Sequence, residues 1–209
     1  MSSRTPRLLG TATALAGGIV VLGLPGLIKR GRQRRSSVDG VVTLSDAVQA
    51  CRSTGLSGWN LVAHAQRLVA RKFAIYSLRN PWDSPSRAFV RGMGYCLQYN
   101  LALKHILQRL GFDSRLVHAV RVRDLDDPNW RMGHAWLRVR SGGEELDVCA
   151  GSERNFPGRM RIKPLTGVHD LPPALVALSY VGSALVAGAA EWQGVLKGTD
   201  PGWTFRPRC

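Results

Sequence analysis

Acidic side chains are scarce. Fourteen Asp and Glu stand against 29 Lys and Arg, which leaves a formal net charge of +15. Seven Lys and Arg against one Asp place +6 of that charge in residues 1–40, and the rest belongs to the body. A basic surface favours anionic partners such as lipid head groups, nucleic acid or an acidic substrate. The chain has no recognised nucleic-acid motif and no repeated basic-aromatic pattern, so nucleic acid is not an expected partner. Cysteine is sparse as well. Cys51, Cys96, Cys149 and Cys209 are widely spaced, with no C-x-x-C pair. Structural zinc sites bring their ligands in closely spaced pairs, so no metal is expected. A chain of 209 residues is long enough to need no disulfide framework, and free thiols are the expectation. There is no internal repeat. The 44% hydrophobic and 21% charged composition suits a globular core.

Charge is missing altogether from Leu8 to Ile28, a run of 21 residues. That is long enough to cross a bilayer core as a helix. Lys29, Arg30, Arg32, Arg34 and Arg35 follow at once. A cleaved signal peptide carries its positive charge before the apolar run and a small-residue site after it. Here the heavier basic cluster comes after, so the expectation is a single-pass membrane anchor with the body on the cytoplasmic side. The cluster would rest on anionic head groups, and Arg30–Gly40 reads as a flexible basic linker. Residues 1–40 are thus anchor and linker, 41–170 the functional domain, and 171–209 a C-terminal helix and tail. Leu171–Ala190 is a second apolar stretch. It reads as a helix packed on the body, with a second membrane span as the alternative.

Ser45-Asp46 is a plausible cap for a short helix through Cys51. A longer helix is expected from Ser57 to Leu78, stopped by Asn80-Pro81. Residues Asn80–Arg91 contain two prolines and read as a loop. The next helix starts near Cys96. Leu97, Leu101, Ile106, Leu107 and Leu110 follow helical spacing, and Gly111 is a natural stop. Leu116, Val120 and Val122 share one face of a strand, as do Ala135, Leu137 and Val139 in the next. Leu146 and Val148 continue the alternation after a three-residue Ser141-Gly142-Gly143 loop. Helices followed by at least three antiparallel strands make an α+β fold.

Chemistry is suggested by three residues in this order. A thiolate is a far better nucleophile than a thiol, and a helix N-terminus beside an imidazolium favours it. Cys96 opens a helix behind Gly92 and Gly94, which let the backbone turn sharply and a substrate approach. The free N–H groups of that first turn suit an oxyanion. His134 opens a strand and is the candidate base. Asp147 lies in the partner strand and is the candidate orienting group. His64, His105, His118 and His169 form no comparable pattern.

Gly94-Tyr95-Cys96, the amphipathic helix ending in Leu110-Gly111-Phe112, the strand after it, Gly133-His134-Ala135-Trp136 and Glu145-Leu146-Asp147-Val148 resemble the transglutaminase-like core of the papain-like superfamily. The resemblance covers about residues 80–152. It implies a core of helices packed on an antiparallel sheet. Cys96 would be the nucleophile, His134 the general base and acid, Asp147 the residue orienting the histidine, and Trp136 a support. The order is also similar to the leader peptidases of lasso-peptide biosynthesis and, more distantly, to arylamine N-acetyltransferases. What this implies is a thiol acyl-transfer or amide-hydrolysing enzyme without cofactor or metal, acting on a peptide or protein. A binding module retaining the fold is the non-enzymatic alternative.

Overall fold

The computed structural model describes residues 36–125, 131–199 and 205–207. The expected anchor, the basic cluster 29–35 and Cys209 lie outside them. The fold is mixed, with helices on a curled antiparallel sheet and an apolar C-terminal helix.

Helix α1 is Leu44–Ser53. Its cap is Thr43, not the expected Ser45-Asp46. The Asp46 N–H donates to Thr43 Oγ1 at 3.2 Å and the Thr43 N–H to Asp46 Oδ2 at 2.7 Å, a reciprocal capping box. The Thr43 and Val42 backbone N–H groups hold the Asp46 carboxyl below its usual pKa. Helix α2 is Gly58–Lys72 and stops six residues short of the expected Leu78. Strand β1 (Ile75–Ser77) follows instead, because its β-branched and aromatic residues find strand partners. It pairs in parallel with β2 (Met93–Gly94) and antiparallel with the C-terminal β8 (Phe205–Pro207).

The expected loop 80–91 also contains a helix, α3 (Pro85–Arg91). Ser84 caps it by accepting the Arg87 N–H, and Pro85 occupies the first turn, where its missing N–H costs nothing. Gly92 ends it in the left-handed conformation, at φ 72°.

Helix α4 (Cys96–Arg109) is central. It packs against α1, α2 and α3 and against strands β3 (Asp113–Asp124) and β4 (Arg131–Ser141). The main sheet runs β5–β4–β3–β6, with β5 at Glu144–Val148 and β6 at Ile162–Pro164; β7 (His169–Asp170) also pairs β3. Leu116 and Val122 are buried as expected, but Val120 is 70% exposed. A register shift between Ala119 and Val122 turns it outward, as an extra residue in a strand does.

Residues 36–40 of the expected flexible linker are held on the body. The Ser36 N–H donates to Val90 O, Asp39 pairs with Arg71 at 2.7 Å, and Lys72 donates to the Ser36 carbonyl. Lys72 is fully buried, with its ammonium 5.3 Å from the Phe89 ring centre. Burial lowers its pKa from 10.5 to about 8. Between those values the unfolded chain holds a proton that the folded chain has released. Stability therefore rises with pH across that window. The denaturant midpoint should climb from pH 8 to pH 10, and Lys72→Met should flatten the climb.

Helix α5 (Pro173–Lys197) is long and apolar enough to cross a membrane. One stripe packs on the body through Ala184, Ala187, Ala190 and Glu191, the last paired with Arg79 at 3.2 Å. Leu178, Val186, Val195 and Leu196 remain exposed. Beyond α5, strand β8 returns to pair with β1, so residues 205–207 join the small sheet.

Candidate active site

The turn before α4 is tightly constrained. A Cβ on Gly94 would lie 2.7 Å from Gln98 Oε1 and 3.0 Å from the Phe73 ring, so only glycine fits without displacing buried groups. Gln98 is fully buried. Its Oε1 accepts the Tyr95 N–H, and its Nε2 donates to the carbonyls of Asn80 and Asp83, both at 2.9 Å. Asp83 in turn pairs with buried Arg91 at 3.0 Å. The polar loop 80–84 is thereby locked to the first turn of α4, and Cys96 is its first helical residue. Cys96 is partly exposed, whereas Cys51 and Cys149 are buried. Burial raises the Cys51 thiol pKa to about 11. It also raises that of the Tyr95 phenol.

Cys96 and His134 line the same cavity, of about 340 Å³. The cavity floor includes Tyr95, Leu97 and Ala135. Ser179, Gly182, Ser183 and Val186 of α5 form one wall. His118 and the outward-turned Val120 also face this space, although the strand pattern gave neither a role there. His118 pairs in register with His169, and their rings lie 6.2 Å apart.

His134 is braced by aromatics. The Trp136 ring is nearly parallel to it at 6.2 Å, and Tyr99 lies tilted at 6.4 Å. Its Nε2 is 3.2 Å from the sulfur of Cys149. That sulfur also accepts the Gly151 N–H at 3.3 Å, with Asn100 Nδ2 at 3.6 Å. Asn100 is fixed in turn: its Oδ1 accepts the Ala150 N–H at 3.0 Å and its Nδ2 donates to Ala135 O. Asn155 Nδ2 donates to the Cys149 carbonyl.

Asp147 does not lie beside His134. It stands opposite Arg138, four residues along β4, and its carboxylate pairs with that arginine at 3.1 Å. The cause is the hairpin. Ser141 pairs with Glu144, so the loop is Gly142-Gly143 alone, with φ 60° and 84°. Two positive φ values make the two-residue turn that suits strand twist. A three-residue loop would set Asp147 opposite Leu137 and Cys149 opposite Ala135, on the other face of the strand; the two-residue turn sets Asp147 opposite Arg138 and puts Cys149 on the face of His134. Cys149 then arrives where the histidine needs a partner.

Among the described residues no three His, Cys, Asp or Glu side chains are grouped as metal ligands. No protein-family model matches the chain, and no curated protein matches it.

Proposed function

We propose that the chain is a transglutaminase-like thiol enzyme in which Cys96 attacks an amide or ester carbonyl of a peptide or protein. The observation that carries this reading is the shared cavity: the first residue of a 14-residue helix and a strand histidine both line it. His134 takes the thiol proton, the sulfur–carbon bond forms, and the helix-start N–H groups stabilise the oxyanion. The leaving amine departs with the proton from His134. Water then releases an acid, or an amine takes the acyl group. This sequence of steps needs neither metal nor cofactor.

Apolar walls favour a substrate that presents an apolar segment next to the reacting carbonyl. The exposed apolar side chains of α5 and the uncharged run 8–28 support a site held at a membrane, by an N-terminal helix, on the cytoplasmic side.

Electrophile labelling tests the enzyme reading. Treated with a haloacetamide near neutral pH and mapped by mass spectrometry, Cys96 should react first. Cys51 and Cys149 are 0% and 1% exposed and should lag by at least tenfold. Equal labelling of all three in the folded chain would leave a binding module as the better description.

A further inference from the structure

We infer that Cys149, and not Asp147, is the positioning residue for His134. The inference rests on the thiol-enzyme reading above and adds the third member of its machinery. A histidine that serves as a base needs its second ring nitrogen held by an acceptor, which selects the tautomer and steadies the imidazolium. In this chain the Cys149 sulfur lies within hydrogen-bonding distance of Nε2, at 3.2 Å.

The surroundings of that sulfur make it an acceptor. The Gly151 N–H is directed to it at 3.3 Å. The Asn100 amide presents its nitrogen at 3.6 Å, and this orientation is forced, because the Ala150 N–H can only donate and so requires the amide oxygen on its own side. Nε2–H of His134 completes a set of N–H groups converging on one buried sulfur. With Nε2 bearing its proton toward Cys149, Nδ1 takes the part of the base. The Cys96 thiol proton passes to Nδ1, the Nε2–H bond to sulfur persists, and the Nδ1 proton later goes to the leaving amine. No other proton or electron moves.

The carboxylate at position 147 is already committed to Arg138, so a charge two residues away from Cys149 does not substitute for it. A sulfur in this place is a larger and softer acceptor than a carboxylate oxygen. It still takes N–H donors, and takes them more strongly as thiolate.

The test uses the purified full chain and reads three quantities: the alkylation rate of Cys96, the melting temperature, and the His134 tautomer from imidazole nitrogen NMR shifts. Read at alkaline pH on chain alkylated at Cys96, so that the imidazole is neutral and has a tautomer to report, wild type should show Nε2–H. Cys149→Ala should lose that preference and slow Cys96 alkylation about tenfold, the scale of one charge-assisted hydrogen bond lost. Cys149→Asp should restore both, and Cys149→Ser, should the aspartate variant not fold, should fall between wild type and alanine. If Cys149→Ala melts as wild type and leaves the rate and tautomer unchanged while His134→Ala slows alkylation, the positioning role is overturned and the Cys96–His134 reading stands. If neither variant changes the rate, both ideas fall. If the aspartate and serine variants fold yet match alanine, Cys149 is a packing residue and the inference is wrong.

Discussion

Replacing His134 with Ala should move the midpoint of the pH profile of Cys96 alkylation upward by about two units. An unassisted thiol ionises near pH 8.5, so at pH 5.5 about one molecule in a thousand is thiolate. A thiolate paired with an imidazolium at a helix start persists well below that. Such a stabilised thiolate is also a weaker nucleophile, which offsets part of the gain near neutrality. The difference is therefore largest in acid, where the variant should react more than tenfold more slowly than wild type. The measurement is a rate profile from pH 5 to pH 9, followed by mass mapping of the adduct. A variant whose profile overlays that of wild type would remove His134 from the chemistry and with it the enzyme reading.

A comparable effect on stability is expected from Arg91→Met. Arg91 and Asp83 are 9% and 7% exposed and pair at 3.0 Å. Removing Arg91 takes the close partner from a buried carboxylate and leaves it the longer 4.0 Å contact with exposed Arg87, a loss of up to about 3–5 kcal/mol. For a folded body of this size that lowers the melting temperature by about 10 °C. The damage should reach the site as well, because Asp83 and Asn80 are held by the same Gln98 that accepts the Tyr95 N–H. Pairing Arg91→Met with Asp83→Asn should recover much of the loss, since the buried carboxylate charge is then gone. A single variant that melts within about 2 °C of wild type would show that water reaches the pair and screens it.

The central helix and the three long strands were legible because each repeats an apolar pattern over many residues. Cys96 at the helix start follows from glycines and spacing alone. The shorter pieces were not legible for identifiable reasons. Ile75–Ser77 continues a helical pattern until partners far along the chain claim it. Pro85 looks like a breaker and is instead the first residue of a helix. Val120 breaks its strand's alternation through a bulge that sequence spacing does not announce. A three-residue turn sets Cys149 opposite Ala135, on the face away from His134, so that reading hides the cysteine. Read as Gly142-Gly143 alone, the turn places Gly151 opposite His134 and Cys149 two residues short of it, and the cysteine is then visible from the sequence.

That turn has a consequence for how the chain tolerates change. Hairpin tips are usually the places where an inserted residue does least harm. This one lies eight residues from His134, or about 27 Å along the strand. Yet a strand alternates faces with every residue, so one added amino acid at the tip would either turn Cys149 away from the histidine or force a bulge to absorb it. The distant, solvent-facing pair of glycines is a gauge block for the cavity: its length, more than its chemistry, decides which side chain the histidine meets.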